Sequence, residues 1–359
     1  MPLSRLASYA RDALSAARAL TRSENWARGA GLQERADLLH LMALRNAHAA
    51  WPKVEEQTLE GLRAQASSLE SQRALVSGAA LAQTLGLLEA WRVEQPPPRP
   101  PSDPDKPLAP EQLAAFEAVW AAEVAAAQQR AFGFAIDVAD SSAGAAAGQG
   151  VFVRGTAPPG SVVAIFPGVA YMPVDVFVLP GGVNRFKGNP HLMARHDSCF
   201  FDASPAALKR LPPTALACPL AVGHRFNHPP AGVAPNVLPC AFEFDVATPA
   251  ELYSLLPVLR LPLVELKRLP KGESGSGGGG RGASARTDML ATWVRDSLRD
   301  ISDEQPDDPG PLRALAFVTS REVADEELLL NYRLNPKNKY PPWYAPVDLA
   351  EDKRRWQHK

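Results

Sequence analysis

Two short motifs, far apart along the chain, carry side chains suited to holding and orienting a small ligand. One is Asn227-His228 within GHRFNHPPAGVAPN, and the other is DEELLLNY, which ends at Tyr332. An asparagine amide both donates and accepts hydrogen bonds, and a buried one must find those partners. Upstream, GQGVF begins at Gly148, and its two glycines allow the backbone to approach a ligand closely and to adopt positive φ.

Each motif also has an ordinary structural interpretation. A single GxG run is commonly a turn, and this one lacks the following helix that a dinucleotide-binding fold requires. Asn227-His228 can be a polar turn before Pro229-Pro230, and DEELLLNY can be a surface turn followed by a core strand. The order of the three motifs along the chain, more than any one of them, indicates a functional site.

In that order the motifs resemble the signature of the SET-domain methyltransferases. GQGVF resembles the GxGVF run that opens the domain, HRFNH resembles RFxNH, and DEELLLNY resembles GEELxxDY. Across roughly residues 131–335 the chain is similar to the group called SET domain-containing protein 9. The further similarities are FGF at 132–134, PGVAY ending at Tyr171, GNP at 188–190, PNV at 235–237, EFDV around Glu243 and PAEL at 249–252.

This resemblance implies an S-adenosyl-L-methionine-dependent protein N-methyltransferase that acts on a lysine side chain. It also implies an α+β fold, with a helical N-terminal region followed by a β-rich SET domain of small curved sheets and a pseudoknot-like C-terminal threading. The catalytic residue would be Tyr332, at the mouth of the channel that joins the substrate nitrogen to the methyl donor. The cofactor-binding residues would be Gly148, Gln149, Gly150, Asn227, His228 and Tyr332.

The chemistry of methyl transfer is compatible with these residues. A lysine amine has an unperturbed pKa of about 10.4 and must lose its proton before it attacks. A narrow, poorly solvated channel disfavours the ammonium form, and much of the remaining task is to align the lone pair with the methyl group. Because the positive charge of the sulfonium disappears during the reaction, a neutral phenol such as Tyr332 suits the channel better than a carboxylate.

Three departures from the family pattern leave alternatives open. The position two before the tyrosine is Leu330, where an aromatic often sets the number of methyl groups added, and Asn331 replaces the usual aspartate. The loop PPAGVA delays Pro235-Asn236 by about three residues relative to the resemblance. A SET-derived module that binds cofactor weakly and serves as a protein-interaction scaffold is therefore the second hypothesis, and methylation of histidine or of a non-histone lysine is the third.

The chain divides by composition into segments. Residues 1–93 form a helical N-terminal region, 94–110 a proline-rich linker, 111–130 a helix, 131–335 the SET domain and 336–359 a C-terminal tail. A glycine-rich stretch at about 270–311 predicts a flexible insert within the domain. The tail contributes Tyr340, Trp343 and Tyr344, which either wall the substrate channel or dock the tail on the domain surface.

Hydrophobic spacing predicts the elements that position the motifs. Apolar residues at helical spacing, such as Leu32, Ala36, Leu39 and Ala43, and later Leu59, Leu62, Ala66, Leu69 and Val76, predict N-terminal helices. These stripes are typical of a helical bundle, with a partner-binding face as the alternative. Short apolar runs at 151–153, 162–166, 176–179, 199–201, 242–244 and 314–319 predict strands.

Composition bounds the remaining function classes. A net charge of −1 gives no indication of nucleic-acid binding, and no apolar stretch reaches the roughly 20 residues of a membrane span. The three cysteines are widely spaced, which predicts buried free thiols, no structural zinc and no other metal site. We expect a protein or peptide substrate and an intracellular location, nuclear or cytoplasmic, and the oligomeric state stays open. The arginines near the N-terminus indicate either mitochondrial import or an ordinary amphipathic helix.

Overall fold

The computed structural model describes most of the region from residue 109 to residue 261 and the C-terminal region from residue 311. The described residues are 37–38, 40–42, 44, 68–96, 109–144, 147–172, 175, 179–180, 186, 189–197, 199–245, 248–261, 265 and 311–356. The glycine-rich insert, most of the proline-rich linker and the arginine-rich N-terminus lie outside them. So do Leu32, Ala36, Leu39, Ala43, Leu59, Leu62 and Ala66 of the predicted helical stripes.

Two long helices precede the sheets. Helix α1 spans Leu69–Glu94 and begins after Ser68, whose Oγ accepts a hydrogen bond from the backbone N–H of Ser71 at 3.1 Å. Helix α2 spans Pro110–Phe132 and ends at Gly133, whose φ of 81° is the left-handed conformation that glycine adopts without strain. The two helices pack together, with the rings of Trp91 and Phe132 6.0 Å apart.

In the part of the chain that the structure describes, ten strands form three small sheets. The strands are β1 (Phe134–Asp140), β2 (Gln149–Ala157), β3 (Val162–Ile165), β4 (Gly168–Tyr171), β5 (Leu192–Ala194), β6 (Phe200–Asp202), β7 (Val237–Phe244), β8 (Val258–Arg260), β9 (Leu312–Thr319) and β10 (Val323–Ala324). The sheet orders are β1-β2-β10, β3-β9-β7 and β5-β6-β4-β8. All pairs are antiparallel except β4 with β8. Three shorter helices are α3 (Pro205–Leu208), α4 (Pro213–Leu216) and α5 (Leu349–Trp356), and Gly223–Arg225 and Ala250–Leu255 form 3-10 turns.

The main core lies between α1 and the sheet that contains β7 and β9. In β7, Cys240, Phe242 and Phe244 are buried at every second position, which is the period of a strand with one face on the core. Pro239 is tolerated because β7 lies at the edge of its sheet. By length and composition alone, helix α1 is apolar enough to cross a membrane; it packs against β7 and buries Leu88 and Trp91.

One irregular segment, residues 326–330, connects distant parts of the chain. On one side the segment bonds to β2. The N–H of Val153 in β2 donates to the carbonyl of Glu326, and the N–H of Leu328 donates to the carbonyl of Val151 in β2. On the other side the N–H of Leu330 donates to the carbonyl of Asn227 at 2.9 Å. The segment therefore lies between β2 and the chain around Asn227, and it brings the three motifs together.

The described part of the chain is a mixed α+β fold with small sheets and few helices. The strands predicted at 151–153, 242–244 and 314–319 fall within β2, β7 and β9, and those at 162–166 and 199–201 overlap β3 and β6 with one residue outside each strand. The strand expected at 176–179 differs: residues 176–178 lie outside the described residues, and the N–H of Leu179 donates to the carbonyl of Asp175, which is a helix-type contact.

Candidate functional site

Tyr332 lies where the three motifs meet. Its hydroxyl donates to the backbone carbonyl of Phe226 at 2.6 Å, and its backbone N–H donates to Nδ1 of His228 at 3.2 Å. Burial of the hydroxyl raises the pKa of Tyr332, so the phenol is neutral at physiological pH. The residue as a whole keeps 40% of its surface exposed, so the ring spans the distance between the solvent and the buried carbonyl.

His228 is buried and neutral. Because its Nδ1 accepts from Tyr332, its Nε2 carries the proton and donates to the carbonyl of Ala345 at 2.7 Å. Burial lowers the pKa of His228, and the contact with Ala345 offsets only part of that effect. The imidazole stacks on the ring of Tyr344, with the centroids 4.2 Å apart and the planes at 24°. The ring is therefore fixed on both edges and on one face.

Asn227 joins the GQGVF turn to the DEELLLNY segment. Its side-chain amide donates to the carbonyl of Gln149 at 3.0 Å and to Oε1 of Glu327 at 3.1 Å. The side chain of Gln149 accepts from Nη1 of Arg225 at 2.8 Å, which adds a second contact between the same two segments. The hydrogen-bond partners that the amide of Asn227 was expected to need are therefore supplied by the other two motifs.

Glu327 is the buried carboxylate of the site, with 4% of its surface exposed. Besides Asn227, its donors are Oγ of Ser141 at 2.8 Å and the backbone N–H of Ser142 at 2.7 Å, and Oγ of Ser142 is also within hydrogen-bonding distance. Burial raises the pKa of Glu327, but the hydrogen bonds from Ser142, Asn227 and Ser141 outweigh it and hold the pKa below its ordinary value. The group is an anion surrounded by neutral donors.

The two glycines of the GQGVF motif are required for different structural reasons. Gly148 has a φ of 66°, which an L side chain adopts only with strain. At Gly150 a Cβ atom would lie 2.0 Å from Oε1 of Glu327, so any larger residue would displace the carboxylate. The turn is therefore shaped by the close approach of Glu327 rather than by conformation alone.

A cavity of about 900 Å³ opens beside Tyr332. Besides Tyr332, the residues that line it include Phe226, Leu330, Gly223 and His224. The lining does not include Gly148, Gly150, Asn227 or His228, which take part in the polar contacts described above. Tyr332 therefore belongs to both: its hydroxyl end faces Phe226 at the cavity, and its backbone is bonded to His228.

The C-terminal tail packs against this site through its aromatic residues. The ring of Trp343 meets the ring of Tyr332 edge-on, with the centroids 6.1 Å apart and the planes at 84°. Tyr344 accepts a hydrogen bond at its hydroxyl from the backbone N–H of Leu334 at 3.0 Å, and Tyr340 packs on Tyr344 at 4.8 Å. These contacts dock the tail on the domain surface. Tyr340, Trp343 and Tyr344 are not among the residues that line the cavity beside Tyr332, so their role as channel walls stays a prediction.

The structure brings together all six residues that the sequence singled out, namely Gly148, Gln149, Gly150, Asn227, His228 and Tyr332. Sequence reasoning assigned no role to Glu327, Ser141 or Ser142. The one sequence signal for Glu327 was the pair of acids directly before three leucines. An acid next to a core segment must either be buried with hydrogen-bond partners or point to the solvent. Which of the two acids is buried depends on the tertiary contacts with Asn227 and Ser142.

Metal-binding clusters and reactive thiols are not found among the described residues. Within the ranges that the structure describes, no group of three or more His, Cys, Asp or Glu side chains is arranged to hold a metal ion. Cys199, Cys218 and Cys240 are free and buried, and burial raises the pKa of the Cys218 and Cys240 thiols to about 12. These thiols are core residues rather than nucleophiles.

Comparison of the chain with models of protein families, with curated proteins and with solved structures gives no match in any of the three. Function is therefore inferred from the residues of this chain and from their geometry.

Proposed function

We propose that the chain is an S-adenosyl-L-methionine-dependent protein N-methyltransferase that methylates a lysine side chain of a protein or peptide substrate. The observation that carries this proposal is the position of Tyr332, which contacts His228 through its backbone and Phe226 through its hydroxyl, at the edge of a large cavity. The polar cluster around Asn227 and Glu327 and the cavity beside Tyr332 then have separate roles. The polar side would hold the cofactor and the cavity side would admit the acceptor.

The residues on the polar side fit the cofactor chemically. When bound, S-adenosyl-L-methionine supplies an electrophilic methyl group on a positively charged sulfonium, and its amino-acid end carries an ammonium group. Each described donor to Glu327 is a neutral group, although a buried carboxylate is normally paired with a cation. Glu327 would therefore supply a negative charge near the ammonium group, while its own oxygens are held by the neutral donors Ser141, Ser142 and Asn227.

The residues on the cavity side fit the acceptor. Phe226 and Leu330 are 2% and 5% exposed and contribute apolar surface to the cavity, which disfavours the charged form of an entering amine. The hydroxyl of Tyr332 and the carbonyl of Phe226 place two oxygen atoms 2.6 Å apart, and such oxygens hold a methyl group by weak C–H···O contacts. The raised pKa of Tyr332 keeps the phenol from adding a negative charge that would favour the sulfonium reactant.

One observation favours the alternative, a scaffold that binds the cofactor weakly or not at all. The carboxylate of Glu327 packs against Gly150, and the amide of Asn227 is already bonded to Glu327 and to Gln149. In that interpretation the polar cluster is a structural clasp between segments. The longer loop before Asn236 gives the scaffold no support, because Asn236 still bonds both the N–H of Leu329 and the carbonyl of Glu327, each at 2.7 Å.

The substitution Tyr332→Phe tests the proposal. Without the hydroxyl, the carbonyl of Phe226 loses its donor, and we expect methyl transfer to fall by at least about tenfold, the equivalent of one hydrogen bond in the transition state. Affinity for S-adenosyl-L-methionine, measured by calorimetry, should change by less than about twofold. Methyl transfer is measured with labelled cofactor on an array of lysine-containing peptides.

The control for that experiment is Tyr253→Phe, since Tyr253 is 49% exposed and does not line the cavity. An unchanged rate in Tyr332→Phe would refute the role given to Tyr332. A wild-type protein that neither binds the cofactor in the calorimeter nor labels any peptide would favour the scaffold instead.

A further inference from the structure

Helical residues from the N-terminal part of the chain form one wall of the cavity beside Tyr332. Leu38 and Leu41 line it from the first described helical residues, and both are buried. Helix α1 contributes Glu70, Arg73, Ala74 and Ser77. Their positions follow the helical pattern i, i+3, i+4 and i+7, so they lie on a single face of α1 and turn that face toward the cavity.

An ion pair ties this wall to the residue next to Tyr332. The two guanidinium nitrogens of Arg333 meet the two carboxylate oxygens of Asp37, each pair 2.7 Å apart. The side chains of Arg333 and Asp37 are only 18% and 14% exposed, so the pair is shielded from solvent. Such a bidentate arrangement fixes direction as well as distance, and it fixes the N-terminal helical residues relative to Tyr332.

The cavity is larger than the acceptor alone requires. Its volume of about 900 Å³ is near the top of the range of roughly 300–1,000 Å³ for ligand pockets. One lysine side chain next to Tyr332 would fill only part of that space. The α1 face offers the remaining contacts: Glu70 and Arg73 are exposed and opposite in charge, and Ala74, next to Arg73 in sequence, is small and exposed.

We infer that the N-terminal helices are part of the substrate site, and that a lysine-bearing peptide segment of the substrate protein binds against the α1 face formed by Glu70, Arg73 and Ala74. The identity of the acceptor residue rests on the proposed function, whereas the location of the peptide site rests on the cavity. Substrate choice then depends on residues outside the three motifs. A change on α1 should alter peptide binding without altering the polar cluster around Asn227.

The test places a large side chain in the cavity with Ala74→Trp. Ala74 is exposed, so tryptophan has room to point into the cavity without crowding the core. The matched control is Val93→Trp, on the same helix, because Val93 is 67% exposed and does not line the cavity. Thermal unfolding followed by circular dichroism checks that both variants fold. Calorimetry with S-adenosyl-L-methionine checks the polar side of the site.

Two readouts follow on one lysine-peptide array: retention of the fluorescently labelled protein, and transfer of labelled methyl groups. We expect Ala74→Trp to lose at least about tenfold in retention on the peptides that bind the wild type, and Val93→Trp to match the wild type. If the array retains Ala74→Trp as well as the wild type, or retains neither, the inference is overturned. If Ala74→Trp loses retention but the wild type transfers no methyl group and binds no cofactor, the peptide site stands and the proposed function fails.

Discussion

Glu327 remains ionised in a buried position because its hydrogen bonds stabilise the carboxylate more than burial destabilises it. Burial is the largest single effect on its pKa and acts upwards, yet the donors Ser142, Asn227 and Ser141 together bring the pKa below its ordinary value. A carboxyl group whose pKa is lower in the folded state than in the unfolded state stabilises the fold at neutral pH. That contribution is complete above the unfolded pKa of about 4.3 and disappears as the pH falls through the lower folded value.

The substitution Glu327→Gln should therefore destabilise the protein in a pH-dependent way. At pH 7 we expect a loss of about 1–3 kcal/mol in the free energy of unfolding, because charge-assisted hydrogen bonds are replaced by weaker ones and one acceptor oxygen becomes a donor. Below pH 4.3 or so the difference from the wild type should shrink, since the wild-type carboxylate is then being protonated. Urea unfolding at a series of pH values measures both effects.

The control for this prediction is Glu322→Gln, at an exposed acid close to Glu327 in sequence. A surface change of this kind normally stays within about 0.5 kcal/mol. A Glu327→Gln protein whose unfolding free energy tracks the wild type at every pH would show that the carboxylate contributes no net stability. The assignment of Glu327 as a partner for a cationic group would then lose its physical basis.

Residue types made some of the site predictable, and tertiary contacts decided the rest. Asn227, His228 and Tyr332 could be identified because an amide, an imidazole and a phenol in a short polar motif need partners wherever they are buried. Glu327 could not, because nothing local distinguishes it from Glu326. The structure separates them: Glu326 pairs with Arg321 at the surface, while Glu327 turns inward toward Ser142.

At the scale of elements, the site depends on residues 326–330, which form isolated bridges rather than a named strand. Phe152 pairs with Glu327, Asn227 with Leu329, and Val237 with Leu330. Asn236 completes the arrangement by replacing backbone ladder contacts with its side chain: its amide donates to the carbonyl of Glu327 and accepts from the N–H of Leu329. With 1% of its surface exposed, Asn236 has no water to substitute for these bonds.

The substitution Asn236→Ala should therefore be among the more destabilising single changes in the domain. It leaves one buried carbonyl and one buried N–H without their partners, and each unsatisfied group costs about 1–3 kcal/mol. We expect a loss of about 2–5 kcal/mol in unfolding free energy, together with weaker binding of S-adenosyl-L-methionine, because Asn227 and Glu327 are held by the same segment. Asn338→Ala, at an exposed position, is the control. A stability loss below about 0.5 kcal/mol would mean that the segment is held by its other contacts.

Some elements follow from hydrophobic pattern and others do not. The short apolar run at 242–244 indicated β7 and the run at 314–319 indicated β9, because such runs are typical of strands. The four-residue helices α3 and α4 each begin with a proline and are too short for a helical period to be visible. The bridges of residues 326–330 could not be predicted from the sequence either, since their partners Phe152, Asn227 and Val237 are distant along the chain.

At the scale of the whole molecule, the two ends of the described chain meet at Arg333. Asp37, from the N-terminal helical residues, binds its guanidinium, and Trp356, near the C-terminus, donates from Nε1 to its backbone carbonyl at 3.3 Å. Arg333 has a φ of 51°, which is unusual for a residue with a side chain, and its N–H donates to the side chain of Asn331. The turn that follows Tyr332 is thus held by contacts from both ends of the chain.

A double-mutant cycle with Asp37→Asn and Arg333→Gln measures how strongly the N-terminal helical residues are coupled to the Tyr332 segment. Because the ion pair is bidentate and mostly shielded from solvent, we expect a coupling energy of about 1.5–3 kcal/mol from urea unfolding. The matched control is the pair Glu94–Arg130, which joins α1 to α2 at 2.6 Å. Its side chains are 34% and 57% exposed, so its coupling energy should be about 0.2–1 kcal/mol and should fall further in high salt. A coupling energy for Asp37–Arg333 of only about 0.2–1 kcal/mol, as for the exposed pair, would mean that the ion pair does not fix the wall of the cavity. The wall would then be held in place by the burial of Leu38 and Leu41 in the core and by the packing of α1.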